Sequence, residues 1–351
     1  MSTPDRILVF QTAFLGDVIL TTPMLQLLRE RFPSAVIDVV TTPAAAPFLV
    51  DHPAVTSVIP FDKRKSQKGL RGILALAIML RQRQYQVAVV PHRSFRTALI
   101  MALSRIPRRI TFNTSSGTMF YHDLVPYERT HHESARNISL LSPLGISADG
   151  AVLPSLHPSA SDVRTVATQL FQREILEDHA MIAIAPGSVW NTKRWPADRF
   201  AGLARRLAEA GFQVMIIGGK DDAAAGAEIR TAGDHKNIHD MTGRLTLMQS
   251  AELIRRSRLL VTNDSAPLHI GVAMRTPVVA LFGATVPAFG FGPYGPYDRV
   301  VETNGLSCRP CAIHGGKKCP IGTFDCMLKI EAGVVFTAVT EVLAAAEAGR
   351  R

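Results

Sequence analysis

The sequence predicts an α/β protein made of two doubly wound, parallel-sheet domains in tandem. Two observations carry this expectation. Short apolar runs rich in β-branched residues alternate with helical stretches along almost the whole chain. Strands alternating with helices of about ten residues or more imply parallel sheets covered on both faces. The alternation is interrupted once, at 142–160, by a stretch rich in Ser, Pro, Gly and Ala, and 351 residues suffice for two domains of ordinary size. We place the boundary at 165/166. Ligands in such sheets bind beyond the carboxyl ends of the strands, so the cleft between two facing domains is the expected site.

In order along the chain, the expected strands of the first domain are 6–10 (RILVF), 36–41 (VIDVVT), 55–60 (VTSVIP) and 86–90 (QVAVV), with the clearest helix at 69–83. A helical stretch at 161–176 lies near the boundary. The second domain has expected strands at 181–185 (MIAIA), 212–218 (FQVMIIG), 259–263 (LLVTN) and 277–283 (PVVALFG), and a further strand ends at Asp240. Helices at 198–210, 221–232 and 247–257 separate them. The last helix is a candidate to pack back on the first domain.

Hydrophobic content of 47% supports two filled cores, and 19% charged residues exclude a disordered or coiled chain. No apolar run reaches the ~18–20 residues of a spanning helix. The start of the chain lacks a basic region followed by a long apolar one, so no signal peptide is expected, and the protein reads as cytoplasmic. The net charge of +10 suits nucleic acid, an anionic membrane face or a phosphorylated substrate. Nucleic acid is disfavoured, because no recognition motif is present and aromatics are only 7%. The cluster DKRKSQK at 62–68 reads either as a solvated loop or as a handle for an anionic acceptor or the inner membrane surface.

The first site signal follows the first strand. In Phe14-Leu15-Gly16-Asp17 the glycine permits positive φ or a close backbone approach. Asp17 is a carboxylate where strand hands over to helix. It is either a helix cap or a general base that removes a proton from an attacking hydroxyl. The helix begins at Thr22 with Pro23 in its first turn, or near Asp17 with a bend at Pro23. One glycine stands where G-x-G-x-x-G needs three, which argues against a nicotinamide or flavin dehydrogenase.

The second signal lies in the other half. Pro186-Gly187-Ser188 through Lys193-Arg194-Trp195-Pro196 follows a strand. It reads as a solvent loop or as a phosphate cradle in which Lys193 is a point charge and Ser188 a donor. Thr242-Gly243-Arg244-Leu245 precedes a helix, and Leu245 is either core or a surface for a purine ring. The stretch 259–273 (LLVTNDSAPLHIGVA) is a strand, a turn and a helix start, where Asp264 or Ser265 can cap. The free amides and dipole of such a terminus suit phosphate.

FLGDVILTTP, PGS…TKRWP, GGKDD, NDSAPLHI and LFGAT, in that order over nearly the whole chain, resemble the ADP-heptose:lipopolysaccharide heptosyltransferases of glycosyltransferase family 9. The resemblance implies a GT-B fold of two Rossmann-like domains, the first binding acceptor and the second ADP-heptose. It implies inverting transfer of L-glycero-D-manno-heptose from ADP-heptose to the heptose of the lipopolysaccharide inner core. By resemblance Asp17 is the base, Lys193 and Ser188 hold the pyrophosphate, and Asp264 meets sugar hydroxyls. Gly16, Gly187, Thr242, Gly243 and Leu245 belong to the same donor set, and the amides of Ser265 and Ala266 grip phosphate. Ala266 stands where such turns often carry Gly, which crowds that approach. The acceptor is an anionic lipid at the cytoplasmic face of the inner membrane, for which charge and loop position nominate Lys63, Arg64, Lys65, His92, Arg93 and Arg96. No cofactor is required, because Lys193 and the helix terminus carry the diphosphate charge. Transfer of a first or third heptose, another nucleotide sugar, and nucleotide-sugar binding without turnover stay open.

Cys308, Cys311, Cys319 and Cys326 fall in one short stretch. They read as reduced thiols in a tucked loop or as a four-thiolate zinc site, against which stands the irregular Cys-x6-Cys spacing of the later pair.

Overall fold

The computed structural model of the chain describes residues 3–176 and 178–349. It divides into two compact units, Met1–His157 and Pro158–Arg351. In the first, β1 (Arg6–Phe10), β2 (Val36–Thr41), β3 (Ser57–Pro60), β4 (Val87–Val90), β5 (Arg108–Phe112) and β6 (Asp123–Val125) form a sheet in the order β3-β2-β1-β4-β5-β6. In the second, β7 (Met181–Ala185), β8 (Gln213–Ile216), β9 (Ile238–Asp240), β10 (Leu259–Asn263), β11 (Val278–Phe282) and β12 (Arg299–Glu302) take the order β12-β11-β10-β7-β8-β9. Every pairing is parallel. Counted from its own first strand, the second order equals the first. In each, the chain steps outward twice, then returns to the other side of the opening strand. That return is the topological switch point where such sheets bind ligands.

The strands sit where apolar runs are buried on both faces. Ile7, Leu8, Val9 and Phe10 are fully buried, as are Leu259, Leu260 and Val261. Removing each such side chain from water stabilises by about 1.5–3 kcal/mol. The expected strand windows at 55–60, 86–90, 212–218 and 277–283 each exceed the strand found by one or more residues at an end. β5, β6 and β12 were not expected. They are short or open on charge, and Arg108 at the start of β5 pairs with Asp123 on β6 at 2.8 Å.

The helices of the first unit are α1 (Leu15–Ile19), α2 (Thr22–Arg31), α3 (Gly69–Gln82), α4 (Phe95–Ser104) and α5 (Glu133–Ser139). Those of the second are α6 (Ala160–Phe171), α7 (Ala197–Glu209), α8 (Ala223–Gly233), α9 (Leu247–Arg256), α10 (Ala266–Ala273), α11 (Asp325–Leu328) and α12 (Ala332–Ala348). Two helices follow β1: α1 begins beside Asp17, and α2 carries Pro23 in its first turn, with Thr21 and not the expected Thr22 at its N-cap. Pro23 has no N–H for the Ile19 carbonyl, and the Thr22 hydroxyl takes that carbonyl at 2.8 Å. The break between the two helices is thereby satisfied.

The division at 157/158 falls ahead of the expected 165/166. A capping box of Ser159 and Asp162 opens α6, which packs on α9 of the second unit. α6 also stops short of the expected 176: Glu174 takes a left-handed φ of 58° and the Ile175 N–H turns back to the Leu170 carbonyl. The last helix, expected as a candidate to pack back on the first domain, lies on α7 and on β10, β11 and β12 of its own unit. Among the described residues, no helix is long and apolar enough to cross a membrane.

Candidate active site

In each unit some of the predicted residues follow the strands at the switch point of its sheet, while Lys63, Arg64, Lys65, Thr242, Gly243 and Leu245 follow the edge strands β3 and β9. β1 delivers Thr12 and, through α1, Asp17; β4 delivers His92, Arg93 and Arg96. Asp17 is partly exposed, and its Oδ2 accepts the N–H of Phe14 at 3.1 Å. It therefore caps α1 and still presents a carboxylate. Gly16 is the second residue of α1 and does not take the positive φ that was one of its two readings. Burial raises the Asp17 pKa from an ordinary 3.8 to about 7, with the negative charge of Glu133 adding to it and Arg93 opposing it weakly. A partly exposed carboxyl titrating near neutrality is suited to general base chemistry.

Glu133, at the start of α5, was not foreseen. It is buried, and its Oε2 accepts from Arg136 at 2.8 Å and from the Tyr127 hydroxyl at 3.0 Å. α5 is fixed against the end of α1 by Asn137, whose Nδ2 donates to the Leu20 carbonyl at 3.1 Å. Arg93 lies over the Tyr127 ring at 4.1 Å. A buried Glu, Arg and Asn in one short helix is a signal that composition alone does not separate from a polar loop.

The six acceptor candidates do not all behave as expected. Lys63 donates to the Thr12 carbonyl at 2.6 Å, and Arg96 donates to the Lys63 carbonyl at 3.1 Å. Burial, then Arg64 and Arg96, lowers the Lys63 pKa. Lys63, Arg93 and Arg96 thus form one cationic group with Arg64 beside Lys63. His92 is not a cation in it. Burial first, then those three cations, lowers its pKa to about 3, and Nδ1 is shared with the Thr97 hydroxyl at 2.7 Å. It is a neutral hydrogen-bonding ring. Lys65 is exposed, with its backbone N–H on Asp62, and among the described residues no contact ties its side chain to the cluster.

In the second unit the switch point holds the loop after β7 and the turn after β10. Asn263 joins them: its Oδ1 accepts the Trp195 N–H at 3.1 Å and its Nδ2 donates to the Pro186 carbonyl at 2.7 Å. Lys193 Nζ then meets Asp264 Oδ2 at 2.6 Å, and the Thr285 hydroxyl donates to the same oxygen at 2.6 Å. Both charges are largely buried, with side chains 13% and 8% exposed. Thr285 had been part of a quoted motif without a role. Ser188 is buried and its Oγ accepts the Trp190 N–H at 3.3 Å.

Ser265 occupies the N-cap of α10, yet its hydroxyl does not cap; it reaches back to the Asn263 carbonyl at 3.4 Å. The N–H groups of Ser265 and Ala266 have no partner among the described residues. They are available to an anion, as a helix start provides. Gly187 makes room for the Asp222 carboxylate, which a Cβ there would meet at 2.5 Å. Asp222 in turn accepts the Gly219 N–H at 2.9 Å. At the edge of the site Gly243 has φ 69°, while Thr242 spends its hydroxyl and its N–H on Asp240. Leu245 is half-buried.

The four cysteines carry free thiols. Among the described residues no three His, Cys, Asp or Glu side chains converge as a metal requires, so the zinc expectation has no geometric support. The cysteine loop is tied to the donor-side loop instead, the Gly316 N–H donating to the Thr192 hydroxyl at 2.8 Å.

The family model described as glycosyltransferase family 9 (heptosyltransferase) matches residues 73–320. Lipopolysaccharide heptosyltransferase 2 of Escherichia coli K12 is 29% identical over 81% of this chain and 84% of its own length. Lipopolysaccharide heptosyltransferase 3 of the same strain is 29% identical over 78% and 81%. The solved structure of E. coli ADP-heptose lipopolysaccharide heptosyltransferase II superposes with a TM-score of 0.80 at 26% identity, covering 97% of this chain and 99% of that one.

Proposed function

The chain belongs to glycosyltransferase family 9, and we propose that it moves L-glycero-D-manno-heptose from ADP-heptose to the heptose of the lipopolysaccharide inner core, with inversion, as a heptosyltransferase II. One observation carries the reading. The first switch point holds a largely desolvated carboxylate whose pKa is raised to about 7, and the second holds a lysine and two amides unpartnered among the described residues. Those are the two needs of a single displacement. Asp17 takes the proton of the acceptor hydroxyl as its oxygen bonds to the anomeric carbon. The bond from that carbon to the β-phosphate oxygen breaks on the opposite face, and ADP leaves with the electron pair.

Lys193 and the Ser265 and Ala266 amides relieve the charge that develops on the leaving phosphate. In the free protein Asp264 is the counter-ion of Lys193; with donor bound, the lysine shares itself with phosphate while the carboxylate takes a sugar hydroxyl. Ser188 offers its hydroxyl to the diphosphate in a loop whose Gly187 accommodates Asp222, and Gly243 with Leu245 flanks the nucleoside. Lys63, Arg93 and Arg96 receive an anionic acceptor. The cationic groups supply the charge relief, so transfer should persist in a chelator. The protein would act as a peripheral enzyme on the cytoplasmic face of the inner membrane.

The test is ADP release from ADP-heptose with a lipopolysaccharide acceptor carrying one heptose, with Asp17→Ala alongside. Acceptor-dependent release that nearly vanishes in the variant supports the transfer and the base together. Release only with an acceptor bearing no heptose reassigns the reaction to the first transfer. Retained ADP-heptose binding with no release from either acceptor would leave a nucleotide-sugar-binding protein.

A further inference from the structure

The positive charge of the chain is not spread over it. From Lys63 to His122 there is no Asp or Glu, against twelve Lys and Arg, whereas the whole chain nets only +10, so the remainder is slightly acidic. α3 and α4 both lie in this segment and pack against each other. Six of the twelve make internal contacts: Arg83 with Asp38, Arg108 with Asp123, Arg109, Lys63 and Arg96 with backbone carbonyls, and Arg93 with the Tyr127 ring. Arg64, Lys65, Lys68, Arg71 and Arg81 are exposed. Asp62, just before the segment, accepts the N–H groups of Arg64, Lys65 and Ser66.

α3 is also apolar on the side that it should not be. Ile73, Leu76, Ala77 and Leu80 bury one face. On the other, Leu70, Leu74 and Ile78 are 70%, 48% and 57% exposed. Their spacing of four residues makes one stripe along the helix. Gly72 seats the basic loop over the first turn, since a Cβ there would lie 2.0 Å from the Gln67 carbonyl oxygen. Cations and stripe therefore form one continuous surface.

We propose that the outer face of α3, with the loop 63–68, docks the protein onto an anionic lipid bilayer. Aliphatic side chains enter the acyl boundary while Lys and Arg meet the headgroups, the arrangement by which interfacial helices bind. A second copy is disfavoured as the occupant, because it would bring two strongly cationic faces together. Nucleic acid is disfavoured because phosphate contacts give no use to an exposed aliphatic stripe. The inference builds on the reading that the acceptor is a membrane lipid, and it adds the surface that reaches that membrane.

The experiment is co-sedimentation of the full chain with phosphatidylglycerol-containing vesicles and with pure phosphatidylcholine vesicles, without donor or acceptor. The comparison set is Leu74→Gln/Ile78→Gln, and Lys68→Gln/Arg71→Gln. The parent should bind the anionic vesicles and release them as salt rises. Each double variant should lose about tenfold in affinity. Both should keep the parent's melting temperature and its turnover of a soluble, deacylated acceptor, because all four side chains are exposed. Parent-like vesicle binding by Leu74→Gln/Ile78→Gln overturns the proposal. So does a parent that binds no vesicles, that binds nucleic acid in their place, or that is a dimer which this variant dissociates. The readout involves no heptose transfer, so a failure of the enzymatic reading leaves a distinct signature: vesicle binding that the variants lose, in a protein that releases no ADP.

Discussion

Asp17 carries the strongest residue-level prediction because two roles meet in it. Only its ionised form can accept a proton, so kcat/KM should rise with pH through about 7. Glu133→Gln removes a neighbouring negative charge, lowers the Asp17 pKa, and should move that ascending limb to lower pH; Arg93→Gln should move it the other way. A limb that stays in place in both variants would show that another group is the base. Asp17→Asn should cost about 10²–10⁴-fold in rate with donor affinity intact. The same shift has a stability consequence of definite sign. Between the unfolded pKa of 3.8 and the folded value of about 7, the folded state alone holds the proton, so stability falls as pH rises across that window. Asp17→Asn should therefore melt above the parent at about pH 8. Lys193 and Asp264 are the second residue-level case. Lys193→Ala leaves a buried carboxylate with only Thr285, and should cost about 3 kcal/mol in stability. Adding Asp264→Asn should restore most of that stability and none of the activity, as urea denaturation and ADP release would show.

Among the loops and elements, the donor cradle depends on a missing side chain. Gly187 lies where the Asp222 carboxylate crosses the loop after β7, and Asp222 holds the turn after β8. Gly187→Ala should push the two loops apart and weaken ADP binding about tenfold, the scale of an overpacked contact of 1–3 kcal/mol. Calorimetry that finds unchanged ADP affinity would refute the importance of this crossing. The break between α1 and α2 is a feature of another kind. Pro23 was legible as a helix start or a bend, and both descriptions hold because the Thr22 hydroxyl takes the carbonyl that Pro23 cannot serve.

At the scale of the whole molecule, one strand order is used twice, and each copy brings some of its site residues to its own switch point. Apart from Gly16, the candidate donor residues belong to residues 158–351. ADP alone should therefore slow hydrogen exchange at Ser265, Ala266 and the 187–194 loop and leave the segment from His92 to Thr97 unchanged. At 100 times its Kd it should stabilise the state that binds it by about 2.7 kcal/mol. Protection confined to 92–97 would place the nucleotide on the other sheet and reverse the assignment of donor and acceptor sides.

The sequence by itself determined the α/β class, the long apolar strands and the order of the motifs. Burial on two faces demands continuous apolar runs, and loops after parallel strands fall at one edge of a sheet. It also singled out Asp17, Lys193 and the turn at 263–266 as chemistry. The tertiary structure decided what those residues meet. Lys193 finds Asp264 across 71 residues of chain, and Asp17 comes under the charge of Glu133 from another helix. It made His92 neutral and turned the Ser265 hydroxyl away from its cap. It also left one helix apolar on both sides. Local pattern fixes which face of a segment is buried, whereas a pKa, an ion pair or an exposed stripe depends on groups that folding brings from far along the chain.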